Sequence, residues 1–159
     1  MTKPAVQKWR FWLRARRAPK LDEPDPDTNL VMIRWRSAFE CGHPVIDRQH
    51  RELFNIGNEL INSVLGRRPK HDIELLLREL VEHIKEHFAT EEDVLSRTRY
   101  PLSDEHRNIH GNLLERARDL EERYRTGQLA VSDLVGFISY DVISAHIVNE
   151  DLKFALQDR

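Results

Sequence analysis

Five histidines and two acids, His50, His87, Glu91, His106, His110, His146 and Asp151, recur where a helix would carry apolar side chains. His87 and Glu91 are four residues apart, as are His106 and His110, so each pair lies one above the other on a single helix face. One histidine at such a position is ordinarily a core side chain with a hydrogen-bond partner. Five imidazoles and two carboxylates in one small core are a different matter. Each buried polar group without a partner costs roughly 1–3 kcal/mol, and a buried charge costs more. A shared cation would satisfy them together, and pairs spaced four apart on a helix can converge on one ion.

The elements that must position these residues follow from periodicity and punctuation. From Pro44 onward the spacing predicts four helices with short breaks. Pro44 opens the first, and Gly66 with Pro69 closes it. Asp72 is the expected cap of the second, which runs to about Arg97 before the Arg99-Tyr100-Pro101 break. The third runs from about Ser103 to Arg125 and stops near Gly127, and Ser132 is the expected cap of a fourth reaching about Leu156. Alternating steps of four and three residues give each helix an inward seam: Ile46, His50, Leu53, Gly57, Leu60 and Val64 in the first; Ile73, Leu77, Leu80, Ile84, His87, Glu91 and Val94 in the second. The third seam is His106, His110, Leu113, Ala117, Leu120 and Tyr124, and in the fourth Val135, Ile138, Val142 and His146 share a face. An all-α, antiparallel up-down-up-down four-helix bundle collects all seven polar residues at one end.

Length and composition bound the rest. The 159 residues suit one domain, expected over 31–159, and a core of that size needs neither metal nor disulfide for stability alone, so a metal here would be functional. The single cysteine, Cys41, excludes a disulfide framework and cysteine-rich metal sites, and suggests a reducing compartment. No apolar run or signal-type start is evident, so a cytoplasmic protein without a transmembrane segment is expected. The first 20 residues carry seven Lys or Arg and no acid, whereas the body is acidic. Residues 1–30 therefore form a separate N-terminal extension with a proline-broken acidic linker. Its basic aromatic stretch, residues 8–17, could meet a protein partner or an anionic membrane surface, or remain a solvated tail. The acidic body argues against nucleic acid.

The stretches Gly42-His43-Pro44-Val45-Ile46-Asp47-Arg48-Gln49-His50, His87-Phe88-Ala89-Thr90-Glu91-Glu92, Tyr100-Pro101 leading to His106 and His110, and His146-Ile147-Val148-Asn149-Glu150-Asp151 resemble the hemerythrins, specifically their bacterial single-domain members. The resemblance covers about Ile33 to Phe154. It implies two iron ions in an oxo- or hydroxo-bridged di-iron centre, with His50 and His87 on one iron, His106, His110 and His146 on the other, and Glu91 and Asp151 bridging. One coordination position then stays open, on the two-histidine iron, for reversible binding of dioxygen in transport, storage or sensing. The alternatives are a di-iron redox enzyme acting on peroxide or nitric oxide, and a helical interaction module holding zinc or manganese. The imidazole-rich donor set favours carriage over turnover, so enzymatic activity is not expected.

Two departures and several bystanders complete the reading. Many relatives carry tryptophan four residues before the last histidine; Val142 stands there, which implies a roomier pocket and faster oxidation. Asp151 follows His146 by five residues and cannot share its face on an ideal α-helix, so a local π-type bulge is expected between them. Trp35, Phe54, Phe88, Phe137 and Ile143 are candidates for a dry wall. His83 is expected to be solvated or to support a ligand, His43 and His71 to be exposed at helix edges, and Cys41 to be structural.

Overall fold

The computed structural model describes residues 32–98 and 100–155. The basic aromatic segment, the acidic linker and the expected helix end at Leu156 lie outside the described residues.

Each helix forms where the apolar spacing predicts it, but two of the expected caps are displaced. In α1 (Pro44–Leu65), Pro44 occupies the first turn, where its missing N–H costs no helical bond, and His43 Nδ1 accepts the Ile46 amide at 3.4 Å. Gly66 caps the other end with φ −75°, and the left-handed residue is Arg67 at φ 52°. α2 (Lys70–Thr98) begins before Asp72, because the Pro69 carbonyl already accepts the Asp72 and Ile73 amides at 3.0 and 3.3 Å. Asp72 therefore sits in the first turn, as an acid near the positive end of the helix dipole. α3 (Ser103–Arg125) follows the Tyr100-Pro101 break and ends at Thr126, with Gly127 at φ 74°. The fourth rod comprises α4 (Val131–Gly136), a π-helical segment (Phe137–Asp151) and a last turn, α5 (Leu152–Ala155). Its cap is Ala130, with no side-chain bond, and Ser132 lies inside the first turn.

Neighbouring rods run antiparallel. Lys70, at the start of α2, donates to the Arg125 carbonyl at the end of α3 (2.9 Å), and Gln49, near the start of α1, bonds Thr90 late in α2 (3.0 Å). The result is the expected all-α four-helix bundle, with no strand among the described residues. Its core joins Leu60, Ile61, Leu77, Leu120 and Leu134 at one end to Leu53, Ile84, Phe88 and Ile147 nearer the other. Full burial of each such side chain contributes about 1.5–3 kcal/mol. Gly57 permits a close approach of α1 to the fourth rod: a Cβ there would lie 2.7 Å from Ile138 Cγ2.

A strap of residues precedes α1. Asn58 Nδ2 donates to the Ile33 carbonyl and Asn58 Oδ1 accepts the Ile33 amide, both at 2.8 Å, so one side chain satisfies both polar groups of a backbone unit. That anchor sets the Trp35 and Phe39 rings against Phe54, at 5.2 and 5.9 Å between centroids. Asp47 then takes the amides of Cys41 and Gly42 (2.7 and 3.2 Å), fixing the entry into α1.

The fourth rod corrects one expectation. Over Val131–Asp151 it is long and apolar enough to cross a membrane by length and composition, with a mean hydropathy of 1.4. Its Leu134, Phe137, Ile138, Val142, Ile143 and Ile147 are buried in the bundle core, which accounts for that apolarity. It also carries His146 and Asp151, both buried.

Candidate metal centre

All seven side chains singled out by the sequence arrive at one end of the bundle, each at most 3% exposed. α1 supplies His50, α2 His87 and Glu91, α3 His106 and His110, and the π-helical segment His146 and Asp151. The π geometry extends over the whole of Phe137–Asp151, further than the local bulge expected. Its longer turn lets residues five apart point the same way, so Asp151 faces inward with His146.

Two overlapping groups result. Glu91, His106, His110 and His146 offer ligand atoms within 4.8 Å of one another, as do His50, His87, Glu91 and Asp151. Asp151 spans them: Oδ2 lies 3.1 Å from His50 Nε2 and 3.9 Å from His87 Nε2, while Oδ1 lies 3.4 Å from both His106 Nε2 and His146 Nε2. Glu91 Oε2 lies 3.1 to 3.8 Å from the Nε2 atoms of His110, His106, His87 and His146. Nε2 is thus the inward atom of every histidine. Despite these short distances, His50 Nε2, His87 Nε2, His146 Nε2, Glu91 Oε1 and both Asp151 oxygens make no hydrogen bond. These atoms come from three rods and aim at common space, which the Nε2 atoms of His106 and His110 enter from α3 at 3.2 and 3.1 Å from Glu91 Oε2, as the ligands of a cation do. The donor set therefore fits a bound metal.

Electrostatics carry the same imprint. Burial pushes the His50 and His87 imidazoles down from 6.5, to about 4 and about 3, and holds His146 well below its usual value. Buried neutral imidazole is the form that ligates metal. For His106 burial acts in the same sense, but the hydrogen bond and charge of Glu91 outweigh it and raise the group. Burial and then the charge of Glu91 drive Asp151 well above the ordinary carboxylate range. Burial alone would raise Glu91 too; the surrounding imidazoles, His87 foremost, reverse that and hold it well below.

The outward edges of two histidines have supports that periodicity does not reveal. His110 Nδ1 lies 2.9 Å from Glu92 Oε1, and His87 Nδ1 lies 3.4 Å from Gln49 Oε1. Both supports are sequence neighbours of ligand candidates, so their only signal is adjacency. Phe88 stacks flat on His110, with centroids 3.8 Å apart and planes at 2°, and Trp35 lies 6.3 Å from His50. Of the expected wall, Phe54 acts behind Trp35. Phe137 lies nine residues before His146 and packs under Arg116. Ile143 is buried in the core.

Val142 is 3% exposed and closed over by the apolar cluster. The groove that reaches His146, about 240 Å³, is lined instead by Ile109, Leu113, Asp141, Ala145 and Glu150. His83 stays out of the cluster, half-buried, with Nε2 3.0 Å from the Gln49 carbonyl. His43 is a half-buried cap rather than an exposed edge residue, because its ring turns back to the Ile46 amide; His71 is exposed. Cys41 is buried, and that burial raises its thiol to about 12.

Comparison with known proteins agrees with this geometry. The family model of the hemerythrin HHE cation binding domain matches residues 41–155. A bacteriohemerythrin of Pseudomonas aeruginosa is 29% identical over 125 residues, 79% of this chain and 80% of the relative. Bacteriohemerythrins of Stenotrophomonas maltophilia and Campylobacter jejuni are 24% and 27% identical, covering 80% and 72% of this chain and 82% and 86% of theirs. No solved structure matches.

Proposed function

The chain belongs to the hemerythrin HHE cation-binding family and its buried cluster is a non-haem metal-binding site, and from that premise we propose that the site holds two iron ions and binds dioxygen reversibly. The observation that carries this reading is the position of Asp151, whose two oxygens face two different sets of histidines while Glu91 belongs to both groups. Two ions between four rods would use the six orphaned atoms that face inward, the Nε2 atoms of His50, His87 and His146, Glu91 Oε1 and both Asp151 oxygens. His50 and His87 would hold one, His106, His110 and His146 the other, with Glu91 and Asp151 between them.

Ferrous ions held by these residues would supply the electrons that let dioxygen be bound and released. The protein decides that this chemistry stays reversible. Five neutral imidazoles donate less charge than the glutamate-rich sets of ferritin-like di-iron proteins, which use two Glu-x-x-His motifs; the one such match here, Glu40 to His43, lies before α1. Phe88 and the apolar core wall much of the imidazole cluster, leaving the groove at His146 as an approach, which would limit proton entry and loss of the bound gas.

The test is to load the protein with iron, reduce it without oxygen, admit oxygen, and follow the visible spectrum through removal of the gas. Two irons per chain and a charge-transfer band that disappears and returns with oxygen are expected. One iron per chain would overturn the reading. Irreversible bleaching coupled to consumption of peroxide or nitric oxide would replace it with a redox enzyme.

A further inference from the structure

Building on that two-ion reading, we propose that Gln49 and Glu92 are positioning residues that support the two ions unequally, a neutral amide behind the two-histidine ion and a carboxylate behind the three-histidine ion. The hydrogen-bond chain settles the first support. Thr90 Oγ1 donates its proton to the Glu86 carbonyl at 2.8 Å, so toward Gln49 it can only accept, and it takes Gln49 Nε2–H at 3.0 Å. The amide oxygen must then face His87, and His87 must present Nδ1–H to it. That proton position leaves the Nε2 lone pair pointing into the cluster.

At His110 the same result comes from different chemistry. The Glu92 carboxylate only accepts, so Nδ1 carries the proton, and Nε2, 3.1 Å from the shared Glu91 Oε2, is the atom turned to the cluster for a ligand bond. Arg107 holds Glu92 from outside (Nε to Oε2, 3.4 Å) and reaches Asp104 at 3.0 Å. Gln49 is buried, whereas the Glu92 side chain is 31% exposed. No such support stands behind His50 or His146, whose Nδ1 atoms are buried without a hydrogen bond. These two supports, of different charge, make the two positions inequivalent: the carboxylate favours the higher charge on the ion beyond His110.

Cobalt(II) titration of the metal-free full-length protein, with helical content checked by circular dichroism, tests this without any oxygen chemistry. The parent should take up two ions. Glu92→Ala should weaken one of the two by about 10–100-fold, and Gln49→Ala the other by a similar factor. Glu92→Gln and Gln49→Glu keep an acceptor for Nδ1–H and should restore most of the loss. In the iron-loaded protein Glu92→Gln should raise one of the two reduction potentials with both irons retained. On a His110→Ala background the Glu92→Ala effect should vanish. Unchanged cobalt affinities in both alanine variants would overturn the inference, as would equal weakening by Glu92→Gln and Glu92→Ala. A parent that takes up fewer than two ions would overturn the two-ion reading itself.

Discussion

The two ends of this bundle are built from the same four rods and solve burial in opposite ways. Where α1 and α3 end, Leu60, Ile61, Leu77, Leu120 and Leu134 fill the space with side chains that ask nothing of their neighbours but contact. Where those helices begin, seven ionisable side chains are equally buried and eight of their atoms find no hydrogen bond. The apolar end is complete as protein. The polar end is complete only with a cation, so the difference separates what stabilises the fold from what the fold is for.

Metal removal should break that comparison most strongly. A ligand held a thousandfold above its Kd stabilises the folded state by about 4 kcal/mol, so chelation should lower Tm by roughly 8–16 °C for a chain of this size. Glu91→Ala should act on the same end, cutting the metal content below two per chain by elemental analysis, because Glu91 belongs to both ligand groups. Retention of two metals would count against its assignment.

Leu77→Ala, at the apolar end, should cost about 2–5 kcal/mol by urea unfolding. The cost should be the same with and without metal, and two metals should still bind. Gly57→Ala should cost about 1–3 kcal/mol, since its new methyl would meet Ile138 Cγ2.

Acid sharpens the contrast. His50 and His87 titrate at about 4 and about 3 in the fold, whereas the unfolded chain takes these protons at about 6.5. The unfolded state therefore binds protons first, and the metal-free protein should lose stability as pH falls from about 6.5 toward 3. Asp151 works in the opposite sense, because its raised carboxyl favours the fold at low pH, and it blunts the loss. The urea midpoint measured at pH 7, 5 and 4 checks the slope, and His50→Leu should flatten it.

The smallest effect concerns Cys41. Burial raises its thiol to about 12 and shields it, so a disulfide reagent at pH 8 should leave the native protein unmodified and react fully in urea.

Sequence determined the four rods and the seven inward residues, because a helical repeat of 3.6 maps spacing directly onto a face: Ile46, His50, Leu53 and Leu60 read as one buried stripe and are one. It did not determine the caps at Asp72 and Ser132, where the chain becomes helical earlier than the polar residue that signals it. Nor did it show how far the π geometry would run. Residues five apart share a face only where the turn widens, and spacing alone does not say over how many turns that widening runs. Only the tertiary structure divided the seven residues into two overlapping groups, with Asp151 facing both, and placed Gln49 and Glu92 behind them. Those relations join atoms on different helices, and no spacing within a single rod encodes the distance between two of them.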